Sequence, residues 1–265
     1  MKNIITCLLL VLFSSCSVTY VELYKTKSNL VNIDNKEYIF DNDTVRIRYS
    51  FWKERGIMYF NIYNKLNVPI YIDWKKSSFI TNSNKINYWN DIIETKSRSS
   101  LSFDREYIYT GALFNPYSNL YNISGTQVQV TSSKTVRPER ITFLPPNSSI
   151  EKSPVLLTTS GSLNKGDFTP KKDYRNDDFE KKTTIYKKEY NINNTPINFR
   201  NYITISTNEN FTTEATIDNQ FYIGEVYIME KLHFQSAVQD INGKYETTYY
   251  FKNGVDFFRY VKNQE

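Results

Sequence analysis

The sequence predicts an all-β protein, an antiparallel β-sandwich with long loop insertions, and three observations predict it. Aromatic residues make up 16% of the 265-residue chain, with 22 Tyr, 17 Phe and 3 Trp, whereas Ala occurs only at Ala112, Ala215 and Ala237. Aromatic and β-branched side chains suit a pleated, half-buried surface and Ala is the best helix former, so a mostly helical chain is excluded. Apolar and polar residues also alternate strictly in short runs separated by polar turns. Finally, no stretch of helix length carries the 3.6-residue period of an amphipathic helix. The length suffices for one large domain or two small ones with a real core.

The elements follow in chain order. Met1-Lys2-Asn3 is a short positive start, followed by a mostly apolar run over 4–13 and then Ser14-Ser15-Cys16. Ten residues at ~1.5 Å each reach about 15 Å, half of a ~30 Å hydrocarbon core, so the run does not span a membrane. It reads as a secretory signal over 1–15. Phe13-Ser14-Ser15-Cys16 sharpens this to a lipobox, in which Cys16 receives diacylglycerol and becomes the new N-terminus; Phe13 stands where Leu is commonest. A plain cleaved signal is the alternative. Cys7 leaves with the signal, so the mature chain holds Cys16 alone. Exported proteins usually pair their cysteines, which makes a lone Cys at the cleavage position best explained as an acylation site. Residues 16–35 are then expected to be a lipidated N-terminus and tether, and 36–262 the β domain.

Within that domain, Val45, Ile47, Tyr49 and Phe51 share one face of a strand and Arg46, Arg48 and Ser50 the other. After the break Lys53-Glu54-Arg55-Gly56, Met58, Phe60 and Ile62 share a face over 57–63. The turn Asn64-Lys65-Leu66-Asn67 leads to 68–74, where Val68, Ile70, Ile72 and Trp74 share a face. Three short alternating strands with short turns predict an antiparallel meander. Further strands are expected over 126–131, 140–144, 201–207, 221–232, 247–251 and, after an Asn253-Gly254 turn, 255–261. The polar regions 90–125 and 161–196 read as long loops or insertions, with short helical turns fitting 91–96 or 173–182.

The chain resembles the uncharacterised lipoproteins of Bacteroidota. The resemblance rests on the lipobox Cys, on Phe60-Asn61-Ile62-Tyr63-Asn64 followed by Ile70-Tyr71-Ile72-Asp73-Trp74, and on Ile141-Thr142-Phe143-Leu144-Pro145-Pro146. A long strand opening Phe221-Tyr222-Ile223 and a last strand ending Phe257-Phe258-Arg259-Tyr260 complete it, together with the 29 Asn. It covers most of 16–262 and implies an Ig-like β fold with no assigned activity. Surface-exported lipoproteins of that group share acidic residues soon after the lipidated Cys. Here Ser17-Val18-Thr19-Tyr20-Val21 follows, with Glu22 the first acid, which implies an outer-membrane anchor facing the periplasm. Asp43-Thr44-Val45 looks like the O-glycosylation site of exported proteins in the same group, with Thr44 the acceptor.

Chemistry has few carriers. His233 is the only imidazole, and strand parity sets it opposite Val226, Ile228, Leu232 and Phe234, away from the core. No G-x-S-x-G elbow exists, and one His with a lipidated Cys cannot build a zinc site. The eight Gly lie no closer than five residues apart, so neither GxGxxG nor a P-loop occurs. Asp41 and Asp43, and Asp173 with Asp177 and Asp178, are the carboxylate clusters. Neither matches a calcium loop, because no Gly follows at the required place, and both read first as turn chemistry. Without Lys2 the charge is 32 basic against 28 acidic residues, or +4. The two signs are interleaved, as over 165–182, which speaks against nucleic acid. Trp52 falls on the Arg46–Arg48 face and Trp89 in a polar stretch, so both are candidates for stacking on a glycan. The leading expectation is a non-enzymatic, membrane-anchored envelope module, structural or protein-binding, with neither catalytic residues nor a metal or cofactor. A glycan-binding lipoprotein is the alternative.

Overall fold

The computed structural model describes residues 18–33, 36–89, 139–152, 155–157, 163–175, 178–239 and 245–262. The alternating runs become strands, which are numbered in chain order. The larger sheet has ten, along the path β11 (Thr169–Arg175), β12 (Asp178–Glu189), β14 (Ala215–Glu230), β13 (Asn198–Ser206), β6 (Ile70–Asp73) and β9 (Ile141–Leu144). In addition, β1 (Thr19–Ser28) joins β14 to β17 (Phe257–Lys262), and β7 (Ser78–Thr81) joins β13 to β8 (Asn84–Asn87). The smaller sheet runs β10 (Ser149–Lys152), β5 (Tyr59–Asn64), β4 (Val45–Ser50), β3 (Glu37–Asp41) and β2 (Val31–Ile33). A separate hairpin joins β15 (Gln235–Gln239) to β16 (Tyr245–Tyr249). All pairings between these strands are antiparallel.

The two sheets face each other across one aromatic core. Val45, Ile47 and Tyr49 of β4 and Phe60 and Ile62 of β5 are fully buried, whereas Arg46 and Arg48 point outward, as period two requires. From the other side come Phe199, Ile203, Ile217 and Phe221. Tyr49 meets the Phe221 ring edge-on at 4.9 Å, and Phe51 does the same to Phe199 at 5.3 Å. A second, smaller core lies on the opposite face of the larger sheet. Val21, Leu23, Ile185, Met229 and Phe258 are covered there by Phe234 of α1 (Lys231–Phe234) and by Tyr249 of β16. Strands β1 and β17 therefore bury both faces: Tyr24 and Phe257 serve the first core, Leu23 and Phe258 the second. The result is a sandwich with a partial third layer.

Four expectations are corrected. The tether expected at 16–35 contains β1, which is held on both sides by β14 and β17. The loop expected at 161–196 contains the β11–β12 hairpin, which extends the larger sheet beside β14, and the described residues of 173–182 are strand rather than helical turn. Thr169, Pro170, Lys171 and Lys172 of β11 are exposed on both faces, so no alternation marked that strand. The meander over 45–74 breaks after its second strand, because β6 crosses to the larger sheet and pairs with β9 and β13 rather than β5. Val68 consequently sits exposed in the crossing. The expected loop at 90–125, the strand at 126–131, the signal and Cys16 itself lie outside the described residues.

Two glycines hold the layers close. Gly56 has φ +67°, and a Cβ there would press on the Phe257 ring at 2.8 Å. At Gly254 a Cβ would stand 2.0 Å from the Lys36 carbonyl oxygen, while the Gly254 carbonyl itself accepts from the Phe51 and Trp52 N–H groups.

Candidate functional site

The β6–β9 edge presents an aromatic pair to solvent. Asp73 ends β6 with its carboxylate buried, accepting from the Lys75 N–H at 2.9 Å and from Arg140 at 2.8 Å. Burial alone would raise this carboxyl. Arg140 and the Lys76 and Lys75 N–H groups outweigh it and hold the group below the usual carboxylate range. Trp74 donates its indole N–H to Thr142 at 2.7 Å, and its backbone N–H to the Arg140 carbonyl at 2.9 Å. With β9 fixed in this way, Tyr71 and Phe143 lie directly opposite in register and pack edge-to-face at 5.6 Å on the outer surface. Phe143 is 53% exposed. Phe143 stands on the edge strand β9, whose other side pairs with none of the described strands.

The tryptophans singled out from the sequence are packed. Trp52 leaves the β4 plane, turns into the second core and contacts the Phe258, Tyr249 and Phe234 rings at 5.2, 5.6 and 6.1 Å. Trp89 packs against the main core, with the Lys75 ammonium 5.4 Å from its ring centre. The structure does not bring the two together, since they belong to opposite faces of the larger sheet.

His233 corrects the parity reading. The strand ends at Glu230 and the chain makes one helical turn, which buries His233 beside the Phe251 ring with Nε2 3.7 Å from Asp173 Oδ2. Period two fails wherever a strand stops early. Asp173 also accepts from the Tyr174 N–H at 2.9 Å. Asp178 opens β12, and Asp177 lies outside the described residues.

Asp41 and Asp43 flank an Asn42 turn. The Asn42 side-chain oxygen accepts from the Thr44 and Val45 N–H groups at 2.9 and 2.8 Å. Lys65 at 2.6 Å and Arg46 at 2.7 Å both contact the Asp41 carboxylate, and these hydrogen bonds hold it below its ordinary range. Thr44 is half-exposed at the mouth of β4. Among the described residues, no group of three or more His, Cys, Asp or Glu is placed to hold a metal ion, and no helix is long and apolar enough to cross a membrane.

Two buried polar clusters escaped the sequence reading. In the first, Arg259, the Tyr24 hydroxyl and the Leu163 N–H all donate to Glu22. In the second, Tyr88 donates to Asn201, while Asn201 and Asn219 donate to the Tyr49 hydroxyl at 3.2 and 2.8 Å. Burial pushes the Tyr49 phenol up, so at neutral pH it stays protonated. The available signal was parity: Asn201 shares its face with Ile203, and Asn219 with Ile217 and Phe221, so inward polar positions marked the network. These groups satisfy one another and tie the two sheets together. No family model, no curated protein and no solved structure matches the chain.

Proposed function

We propose that the protein is a membrane-anchored envelope lipoprotein facing the periplasm, whose sandwich is a non-enzymatic structural or protein-interaction module. The observation that carries this reading is the place of the lipobox: only Ser17 and Val18 separate Cys16 from β1. An acyl group on Cys16 ties an interior strand of the larger sheet to the bilayer, and an anchor of more than one chain holds stably. The buried charges support a structural role, because Glu22 and Asp73 are each committed to an arginine and to backbone N–H groups. Cys16→Ser is expected to move the protein from the membrane to the soluble envelope fraction with an unchanged denaturation midpoint. Continued partition with membranes would overturn the anchor.

A second reading, glycan binding, is favoured by the exposed Tyr71–Phe143 pair, whose rings offer a stacking surface. A polysaccharide array separates the two readings. Binding that disappears in Phe143→Ala supports the glycan reading, and silence across the array supports the protein-interaction module.

A further inference from the structure

We infer that one end of the sandwich, carrying Val18, Tyr174 and Leu232 among exposed lysines, rests on the phospholipid headgroups. This rests on the acylation of Cys16 proposed above. The strand register sets which residues share that end. Thr19 opposes Lys262, and Tyr20 opposes both Val261 and Glu230, so the start of β1 and the ends of β14 and β17 lie together. The turn α1 follows Glu230 directly. Tyr186 opposes Ile228, so Thr184 comes level with Glu230 two residues further along. The β11–β12 hairpin then continues past that level through Asp173–Thr183 and Tyr174–Lys182 to Arg175–Asp178.

The tether fixes the distance. From Cys16 to Thr19 is three residue steps, about 10 Å when fully extended at ~3.3–3.6 Å each. The end bearing Thr19 therefore stays within that distance of the Cys16 backbone, and the hairpin projects into the same gap. What this end exposes suits an interface of lipid and water. Val18 is 41% exposed, Tyr174 49% and Leu232 61%. Lys172, Lys182 and Lys231 are exposed around them, whereas Asp173 and Glu230 are half-buried. Lys182 extends over the Tyr174 ring and Lys231 over the Tyr260 ring, with ammonium-to-ring distances of 5.2 and 5.5 Å. An aromatic or aliphatic body with a nearby ammonium is the composition that settles at headgroup depth, apolar part inward and charge toward phosphate.

The opposite end supplies the control. Phe143 opposes Tyr71, which pairs with Ser206 just beyond the Ile205–Ala215 pair, so Phe143 lies near the far end of β14. The sixteen residues of β14 span roughly 50 Å at ~3.3 Å each. Phe143 is as exposed as Tyr174 and should not meet lipid.

The test uses the full, membrane-processed chain with single cysteines in Leu232→Cys, Tyr174→Cys and Phe143→Cys, each carrying an environment-sensitive fluorophore. The proteins are reconstituted on phosphatidylethanolamine–phosphatidylglycerol vesicles containing nitroxide-labelled lipid. Quenching at 232 and 174 is expected to exceed that at 143 several-fold. The mass of the N-terminal peptide reads acylation of Cys16 separately. An acylated chain quenched equally at all three positions overturns the docked orientation and leaves the anchor standing. A chain with unmodified Cys16 overturns the anchor, and the docking with it.

Discussion

Glu22 is fully buried in the middle of a strand, where a lone carboxylate would be strongly disfavoured. It survives because Arg259 lies opposite it on β17 and donates through Nε at 2.9 Å. Arg259→Met keeps the apolar stem and removes the charge, leaving the carboxylate uncompensated. The variant is expected to lose ~3–5 kcal/mol in a denaturant titration, and the double variant with Glu22→Gln to recover part of it. Asp256 is a different case. Burial raises its carboxyl to about 7, against a lowering hydrogen bond from the Thr26 N–H and attraction to Lys25, with Glu225 adding to the rise. Below about pH 4 folded and unfolded chains both hold the proton, and the contribution of this group to stability is fully present. Between about pH 4 and 7 the unfolded chain ionises first, so this contribution to stability falls as pH rises and is lost above 7. The loss is on the order of 2–4 kcal/mol. Asp256→Asn is expected to flatten that part of the profile of midpoint against pH, and parallel profiles would refute the assignment.

The corner between β5 and β6 shows how one side chain redirects a strand. Asn64 is fully buried, and its amide donates to the carbonyls of Val68, Leu144 and Pro145 at 2.9, 3.2 and 3.0 Å. Its oxygen accepts from the Leu66 N–H at 2.9 Å. The clamp pulls the chain out of the smaller sheet and seats β6 beside β9. Asn64→Ala orphans these backbone groups and is expected to cost about 2–4 kcal/mol by chemical denaturation, whereas Asn67→Ala, on the exposed side of the same turn, stays within ~0.5. The alternation over 45–74 was legible: Ile47, Phe60, Ile72 and Trp74 are buried as their parity demands, and Tyr71 points away. The crossing was not. Period two sets which way a side chain faces and is silent about which strand lies alongside.

At the scale of the molecule, the second core joins segments far apart in sequence. Trp52, Phe234, Tyr249 and Phe258 come from the turn after β4, from α1, from β16 and from β17, and their rings meet at 4.9–6.1 Å. Trp52→Ala is expected to destabilise the protein by about 3–5 kcal/mol. If Trp52 were instead a stacking platform, the variant would keep its denaturation midpoint and lose glycan affinity. The all-β character and the inward faces of β4 and β5 were determined by the sequence alone, because composition and side-chain period act locally. Phe13-Ser14-Ser15-Cys16 and the two residues after it are likewise local facts of the chain. Only the tertiary structure decided that 19–28 is an interior strand rather than a tether, that the 161–196 region contains a hairpin, and that Trp52 and His233 turn inward. Each of these depends on a partner distant in sequence: β14 and β17 on either side of β1, β14 beside β12, and Phe258 and Asp173 against the two rings. A single chain's local pattern carries no record of such partners. They are fixed by which faces can be buried together, and that is settled only when all the layers close on one another.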